Sequence, residues 1–415
     1  MLREMMIRFS PLLLVLLLVA CGGQKVKPEP VKHPSPPAPI QIPDTKIPSD
    51  ITRPAEAGKT AEGINYYGQL RAASWDDIDG FAQDDLTQSW DAWLQSCSTL
   101  KNKQPWQTAC EIASVLNSPN NETIRGYFKQ HFMPYRSINA DGTDTGLITG
   151  YYQPLLKGSR TKTSVYRYPL YSKPDDLITV ELGSIYPELV NKRVRGRLTN
   201  NKLVPYYNRG EIDTEQSPLR GKELIWVDDI IDLFFLQIQG SGIVQLENGE
   251  QVAVGYADQN GQAYQSIGRL LIERGELSVD KASMQGIKNW ARNNLDKLRD
   301  LLNSNPSYVF FRELPAGLSG PLGALGIPIA AERSVAVDPQ YVPLGAPVFI
   351  STTYPNDSKL LQRLMLAQDT GGAIKGGVRA DFFWGTGFDA GRQAGAMKQQ
   401  GKMWVLLPKT WSANK

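Results

Sequence analysis

The stretch from Asp369 through Gly395 holds eight glycines, Gly395 included. Glycine at this density is costly inside a long helix or strand and useful where backbone must turn sharply or approach a ligand. The C-terminal part of the chain is therefore expected to be short strands joined by tight corners. Two acids, Asp369 and Asp381, stand inside this frame, and Asp381 runs directly into Phe382, Phe383 and Trp384. A carboxyl beside apolar rings loses hydration and holds its proton more firmly, which suits a general acid. Read from the residues alone, the same stretch also fits a glycine-rich loop with one solvated and one turn-forming aspartate.

The remaining chemistry-bearing residues narrow the choice. Only two histidines occur in 415 residues. His33 lies in a proline-rich stretch, and His131 stands alone in a helix-like segment where packing or surface exposure explains it. A Ser-His-Asp triad or Cys-His pair would have to rest on His131, and no histidine-rich metal site can be assembled. Acid–base work then falls to carboxylates, Tyr or Lys, and neither a metal nor another cofactor is expected. The net charge of +3 and the absence of a basic block give no sign of a nucleic-acid partner.

The N-terminus reads as an address. Arg3 and Arg8 precede an apolar run of nine residues, Leu12–Ala20. That is too short to span a bilayer and right for a signal-peptide core. It ends in Leu18-Val19-Ala20-Cys21-Gly22, a pattern that resembles the bacterial lipobox. The resemblance implies that residues 1–20 are removed, that Cys21 is lipidated, and, with Gly22 rather than Asp next, that the chain is anchored on the periplasmic side of a Gram-negative outer membrane. The stretch that follows is crowded with prolines up to Pro54. It cannot build a core and favours extended polyproline II; residues 21–60 read as a tether reaching on the order of 100 Å at about 3.1 Å per residue.

Beyond the tether, helices are expected at Thr87–Leu100, Trp106–Leu116 and Glu122–Phe132. Trp90 and Trp93 fall on one helical stripe, which favours core over a sugar platform. Cys97 and Cys110 remain after lipidation and can pair in an oxidising periplasm; a closed loop of about 14 residues would contribute roughly 3 kcal/mol. Thr149-Gly150-Tyr151-Tyr152 alternates like a strand, and one of the two tyrosines is expected to line a cleft. Leu233–Leu246 reads as a strand bent at Gly240-Ser241-Gly242, which would put Gln237 and Gln239 on one face. Helices are also expected at Tyr264–Arg274, Lys281–Asn293, Leu295–Asn303 and Ala390–Lys398. Short apolar strands with Pro/Gly corners from Val335 onward, with Met403–Leu407 the last, suggest a compact β-barrel.

Asp144-Thr145-Gly146 and Asp369-Thr370-Gly371 both match the short signature of aspartic peptidases, which share a proton between two carboxylates. Gly142-Thr143 and Gln368, rather than apolar residues, immediately precede the two Asp, and three-residue matches arise by chance, so this reading is set aside. Longer motifs point elsewhere. Asp338 in Val-Asp-Pro, Asp369 in Gln-Asp-Thr-Gly-Gly-Ala-Ile-Lys-Gly and Asp381 in Arg-Ala-Asp-Phe-Phe-Trp-Gly resemble the three-aspartate domain. With Thr149–Tyr152, Gln239–Gly242 and Asn305–Phe311, the stretch of about 85–408 resembles the membrane-bound lytic murein transglycosylase A family.

The resemblance implies a mainly β fold. A double-psi β-barrel with N-terminal helices would be built from residues 61–150 and 315–415, with a second β-rich domain, 151–314, inserted as the substrate domain. It implies a lytic exotransglycosylase that cleaves the β-1,4 bond between N-acetylmuramic acid and N-acetylglucosamine and leaves a 1,6-anhydromuramic acid end. Asp381 would be the acid and then the base. Asp369 would shape the site and polarise Asp381, and Asp338 would be structural. Tyr151, Tyr152, Gln239, Ser241, Lys375, Gly376 and Trp384 are the candidate glycan contacts. Peptidoglycan strands are the expected partner of a monomer, with a murein synthase complex conceivable. The competing classes are a murein-binding lipoprotein without activity and a two-carboxylate muramidase that uses water.

Overall fold

A computed structural model of the chain describes residues 70–189 and 194–411. The leader, Cys21, His33 and the proline-rich tether lie outside the described residues. The described residues begin with β1 (Leu70–Ala72), then α1 (Thr87–Leu100), α2 (Gln107–Val115) and α3 (Asn121–His131), followed by β2 (Phe132–Ser137) and β3 (Gly146–Gln153). Trp90, Trp93, Cys97 and Leu100 form the buried stripe of α1, so the tryptophans are core. Cys97 and Cys110 are disulfide-bonded with their Cα atoms 5.2 Å apart, joining α1 to α2.

After β3 the chain leaves for a second region. Its elements are β4 (Leu155–Ser159), β5 (Tyr168–Tyr171), β6 (Ile178–Val180), β7 (Val194–Thr199), β8 (Lys202–Val204), α4 (Arg209–Ile212), β9 (Glu223–Val227), α5 (Ile230–Gln239), β10 (Ser241–Leu246), β11 (Gln251–Gln259), α6 (Ile267–Glu273), α7 (Met284–Asn293), α8 (Leu295–Asn303) and β12 (Val309–Glu313). Here β12-β11-β10-β4-β9-β5 form one six-stranded sheet, and β6-β7-β8 a small separate one. A bridge between Ser172 and Phe311 links the two outer strands of the larger sheet.

The chain then returns through β13 (Ser334–Val337), β14 (Pro347–Thr353), β15 (Leu360–Asp369), β16 (Ala380–Thr386), α9 (Phe388–Ala396) and β17 (Lys398–Pro408). The order β17-β14-β15-β13-β16-β3, closed by β17 pairing back onto β3, makes a six-stranded barrel. Two of its pairs, β13 with β15 and β16 with β3, are parallel; the others are antiparallel. β17 can serve two neighbours because it is 11 residues long: its first part pairs with β3 and its later part with β14 and β2. The fold is thus mainly β, with N-terminal helices on a closed barrel and a second β-rich region containing helices.

One expected strand is a helix. Ile230–Gln239 is α5, followed by a turn into β10. Its apolar run, interrupted at Asp232 and Gln237, carries no alternation that separates a buried helix from a buried strand. The caps decide it. Asp229 accepts the backbone N–H of Ile231 and Asp232, and Gly240 closes the helix in the left-handed region at φ 76°. Gln237 and Gln239 therefore do not share a face, since helical residues two apart point about 200° apart. Gln237 is buried and accepts a hydrogen bond from Arg209.

Candidate active site

The barrel strands alternate, and that alternation builds the site. Ile148, Val335, Val337, Phe382 and Trp384 belong to the main core. The residues between them face the other side, where Tyr151, Ile329, Ala336, Ile374 and Phe383 form a small separate apolar cluster. On that side the register lines up four strands. Thr149 of β3 is opposite Asp381 of β16, Asp381 is opposite Ala336 of β13, and Ala336 is opposite Asp369 of β15. At about 4.8 Å per strand the two acids stand roughly 10 Å apart along the row. The small Ala336 side chain lies between them, buried in that apolar cluster.

Asp369 reaches this row through a bulge. Val335 is opposite Ala367, yet Ala336 is opposite Asp369, so β15 carries an extra residue there. That residue, Gln368, is fully buried and tied to Ser334, Ser96 and the carbonyl of Ala92. Asp369 Oδ1 accepts the backbone N–H of Thr370 and of Ala324, each at 2.9 Å, and Oδ2 accepts the Tyr151 hydroxyl at 3.0 Å. Burial raises its carboxyl to about 6 against these donors, and the negative charge of Asp381 adds to the rise.

Asp381 Oδ1 accepts the Thr149 hydroxyl at 2.6 Å. Burial raises its proton affinity, opposed by the Thr149 hydrogen bond and by the positive charge of Arg379. The apolar surroundings come from its own side of the sheet: Phe383, whose ring lies 5.1 Å from that of Tyr151. Phe382 and Trp384 point into the main core, so they do not shield the acid as the sequence suggested.

The other expected contacts divide. Tyr151 faces the acids: its hydroxyl donates to Asp369, and the charges of both Asp369 and Asp381 act on it. Gln239 comes to the junction of the two regions, where its Oε1 accepts the backbone N–H of Tyr152 at 3.0 Å. Ser241 begins β10, opposite Gly255. The expectation fails for three residues. The Tyr152 ring is buried in the main core and its hydroxyl meets the sulfur of Met284 at 3.5 Å. Trp384 is buried, 4.7 Å from Phe382, with its indole N–H on the Met397 sulfur. Neither ring is offered to a sugar. The N–H of Gly376 donates to Asp338 Oδ2 at 3.0 Å, so it is already used. The Lys375 amine is exposed, 3.9 Å from Asp338. Asp338 is buried and also accepts the N–H of Gln340, so the third aspartate shapes this loop.

Thr149 was missed as a site residue. The signal was its place two residues before Tyr151 in an alternating strand, which predicts a shared face but not its partner across the sheet. The peptidase reading fails on geometry. Asp144 lies at the surface with Arg136 and Lys402, and Asp369 and Asp381 are each bonded to a different hydroxyl.

Comparison with known proteins fits this arrangement. Residues 147–312 match the MltA specific insert domain, and residues 333–407 match the 3D domain. The membrane-bound lytic murein transglycosylase A of Escherichia coli K12 is 32% identical over 275 residues, 64% of this chain and 67% of that protein. The crystal structure of MltA from Neisseria gonorrhoeae is 37% identical, with a TM-score of 0.73 over 87% of this chain and 97% of that one. The chain belongs to the membrane-bound lytic murein transglycosylase A family. A further MltA structure, that of Escherichia coli with bound chitohexaose, is 25% identical with a TM-score of 0.63 over 86% of this chain and 99% of that one. The barrel and the second β-rich region of this chain are thus the MltA fold.

Proposed function

We propose that this chain is a lytic transglycosylase that cleaves peptidoglycan between N-acetylmuramic acid and N-acetylglucosamine, with Asp381 as the single acid and base. The observation that carries the reading is the environment of Asp381. It is desolvated, one oxygen is occupied by the Thr149 hydroxyl, and Oδ2 has no hydrogen bond among the described residues. Thr149 donating to Oδ1 leaves Oδ2 as the proton-bearing oxygen. That proton passes to the glycosidic oxygen as the C1–O bond breaks. The Asp381 carboxylate then takes the proton of the C6 hydroxyl of the muramic acid unit, and O6 closes onto C1. No water enters, and Asp381 ends protonated as it began. Asp369 holds Tyr151 and the main chain at Ala324, so its part is to shape the row.

The second region, within the expected 151–314 insert, would supply the opposite wall of a glycan groove, with Gln239 and Ser241 at the junction. The relative crystallised with chitohexaose supports a glycan chain as the ligand. Mass spectrometry of digested sacculi tests the reaction. Anhydromuramic ends are expected from the wild type, and Asp381→Asn should lower their release by about 10³-fold or more while the chain stays folded. Products heavier by one water would mean a hydrolase using both acids, and glycan retention without soluble products a binding protein. Near-normal release by a folded Asp381→Asn chain overturns the assignment.

Acylation at Cys21 would hold this enzyme at the outer membrane, with the proline-rich tether setting its range. Cys21→Ala should move the chain from the membrane fraction to the soluble periplasmic fraction; continued membrane sedimentation would rule the anchor out.

A further inference from the structure

Beside Asp381 lies a charged side chain that, among the described residues, makes no ion pair. Arg379 immediately precedes β16, two residues before Asp381, so the extended backbone turns both toward the same side. It is partly buried. Its Nη1 donates to the carbonyls of Ala380 and of Leu147, the latter two residues before Thr149 on β3. The guanidinium is therefore held one register step from the Thr149–Asp381 pair. Among the described residues no carboxylate oxygen lies within ion-pair distance of it. Burial lowers its proton affinity, and the Asp381 charge, felt across the intervening space, raises it.

A partly buried cation without a bonded anion is unfavourable unless something else completes it. Two carbonyls on Nη1 leave other N–H donors of the fork unused. A guanidinium fork matches a carboxylate with two parallel hydrogen bonds. A murein strand carries such groups beside the reacting bond, as the lactyl carboxylate of a peptide-free muramic acid or as a carboxylate of a stem peptide. We propose that Arg379 is a substrate-carboxylate site that seats the muramic acid unit against Asp381. This rests on the transglycosylase reading and adds to it a basis for choosing muramic acid over N-acetylglucosamine.

The alternative is that Arg379 only tunes Asp381. Calorimetric binding in an Asp381→Asn background separates the two, with Arg379 or Arg379→Gln at the second position. Four probes are used: chitohexaose, which has no carboxylate; peptide-free murein strands; the same strands with the lactyl carboxyl converted to an amide; and peptide-bearing strands. Loss of a charge-assisted pair should raise Kd roughly tenfold or more. A loss on the peptide-free strands assigns the lactyl group, and a loss on the peptide-bearing strands assigns the stem peptide. Chitohexaose and the amidated strands should change less than twofold. Equal changes on all four probes, or none on any, overturn the proposal. Tuning alone would instead shift the pH profile of kcat in the otherwise native chain, with the KM of every substrate unchanged. A native chain that releases no anhydromuramic ends would refute the transglycosylase reading itself, and that result is independent of the four Kd values.

Discussion

At Asp369 three donors surround one carboxyl, yet burial still raises it to about 6. The folded value lies above the unfolded one, near 3.9. Between these values the folded chain holds more protons than the unfolded one, so this group favours folding below about pH 4 and loses that contribution as pH rises through about 6. At neutral pH its charge costs on the order of 1–3 kcal/mol. Asp369→Asn keeps an oxygen for the Ala324 and Thr370 N–H groups and removes the charge. It should therefore raise the thermal midpoint at pH 8, and the gain should shrink toward zero by pH 4, while cell-wall cleavage falls. A variant less stable than wild type at pH 8 would count against a desolvated charge at this position. Asp369 and Asp381 were legible in the sequence because each sits in a long motif. Thr149 and Arg379 were not assigned, because both are tied to Asp381 by side-chain position, and Thr149 lies 232 residues away along the chain.

α5 and the aromatic triplet of β16 are where local reading and structure part. Leu233–Ile238 is apolar at every position but one, and such a run fits a buried strand or a buried helix. The N-cap at Asp229 and the left-handed Gly240 end the ambiguity. Asp229→Ala removes the acceptor for two N–H groups and should cost about 1 kcal/mol of stability by urea unfolding; no measurable loss would mean that the cap is replaced by solvent. In β16 the three aromatics are consecutive, so alternation sends Phe382 and Trp384 into the core and leaves Phe383 with Asp381. A period of two was available from the sequence, but the side that faces the acid was set by pairing with β3 and β13. The glycine frame follows the same logic. A side chain at Gly377 would meet the Ile138 carbonyl at 2.2 Å, so the close approach of two loops requires glycine there.

Across the molecule, distant segments are clamped onto the barrel by buried polar groups. Arg333, just before β13, meets both oxygens of Asp84 at 3.0–3.1 Å, and Asp84 also accepts the N–H of Leu364 on β15. Both partners are buried, so either one alone would leave an uncompensated charge inside. Gln368 does similar work between β15 and α1. These clamps fix the strands that bear the two acids to the N-terminal helices. At the other side, Met284 of α7 packs against both the barrel core and the helical core of the second region, beside the Tyr152 hydroxyl. A glycan groove at the junction would then have walls set by packed side chains on both sides.

By itself the sequence determined the mainly β class, the three N-terminal helices with their tryptophan core and the family, and it marked the two acids proposed for the site. These rest on periodicity, on glycine and proline positions and on long motifs, all of which are local along the chain. Only the tertiary structure decided which residues share the row with those acids. Strand pairing in the barrel sets β3 beside β16 and places Thr149, Asp381, Ala336 and Asp369 side by side across more than 200 residues of intervening chain. The same pairing turns Tyr152 and Trp384 inward, because one step along a strand exchanges the two faces of a sheet.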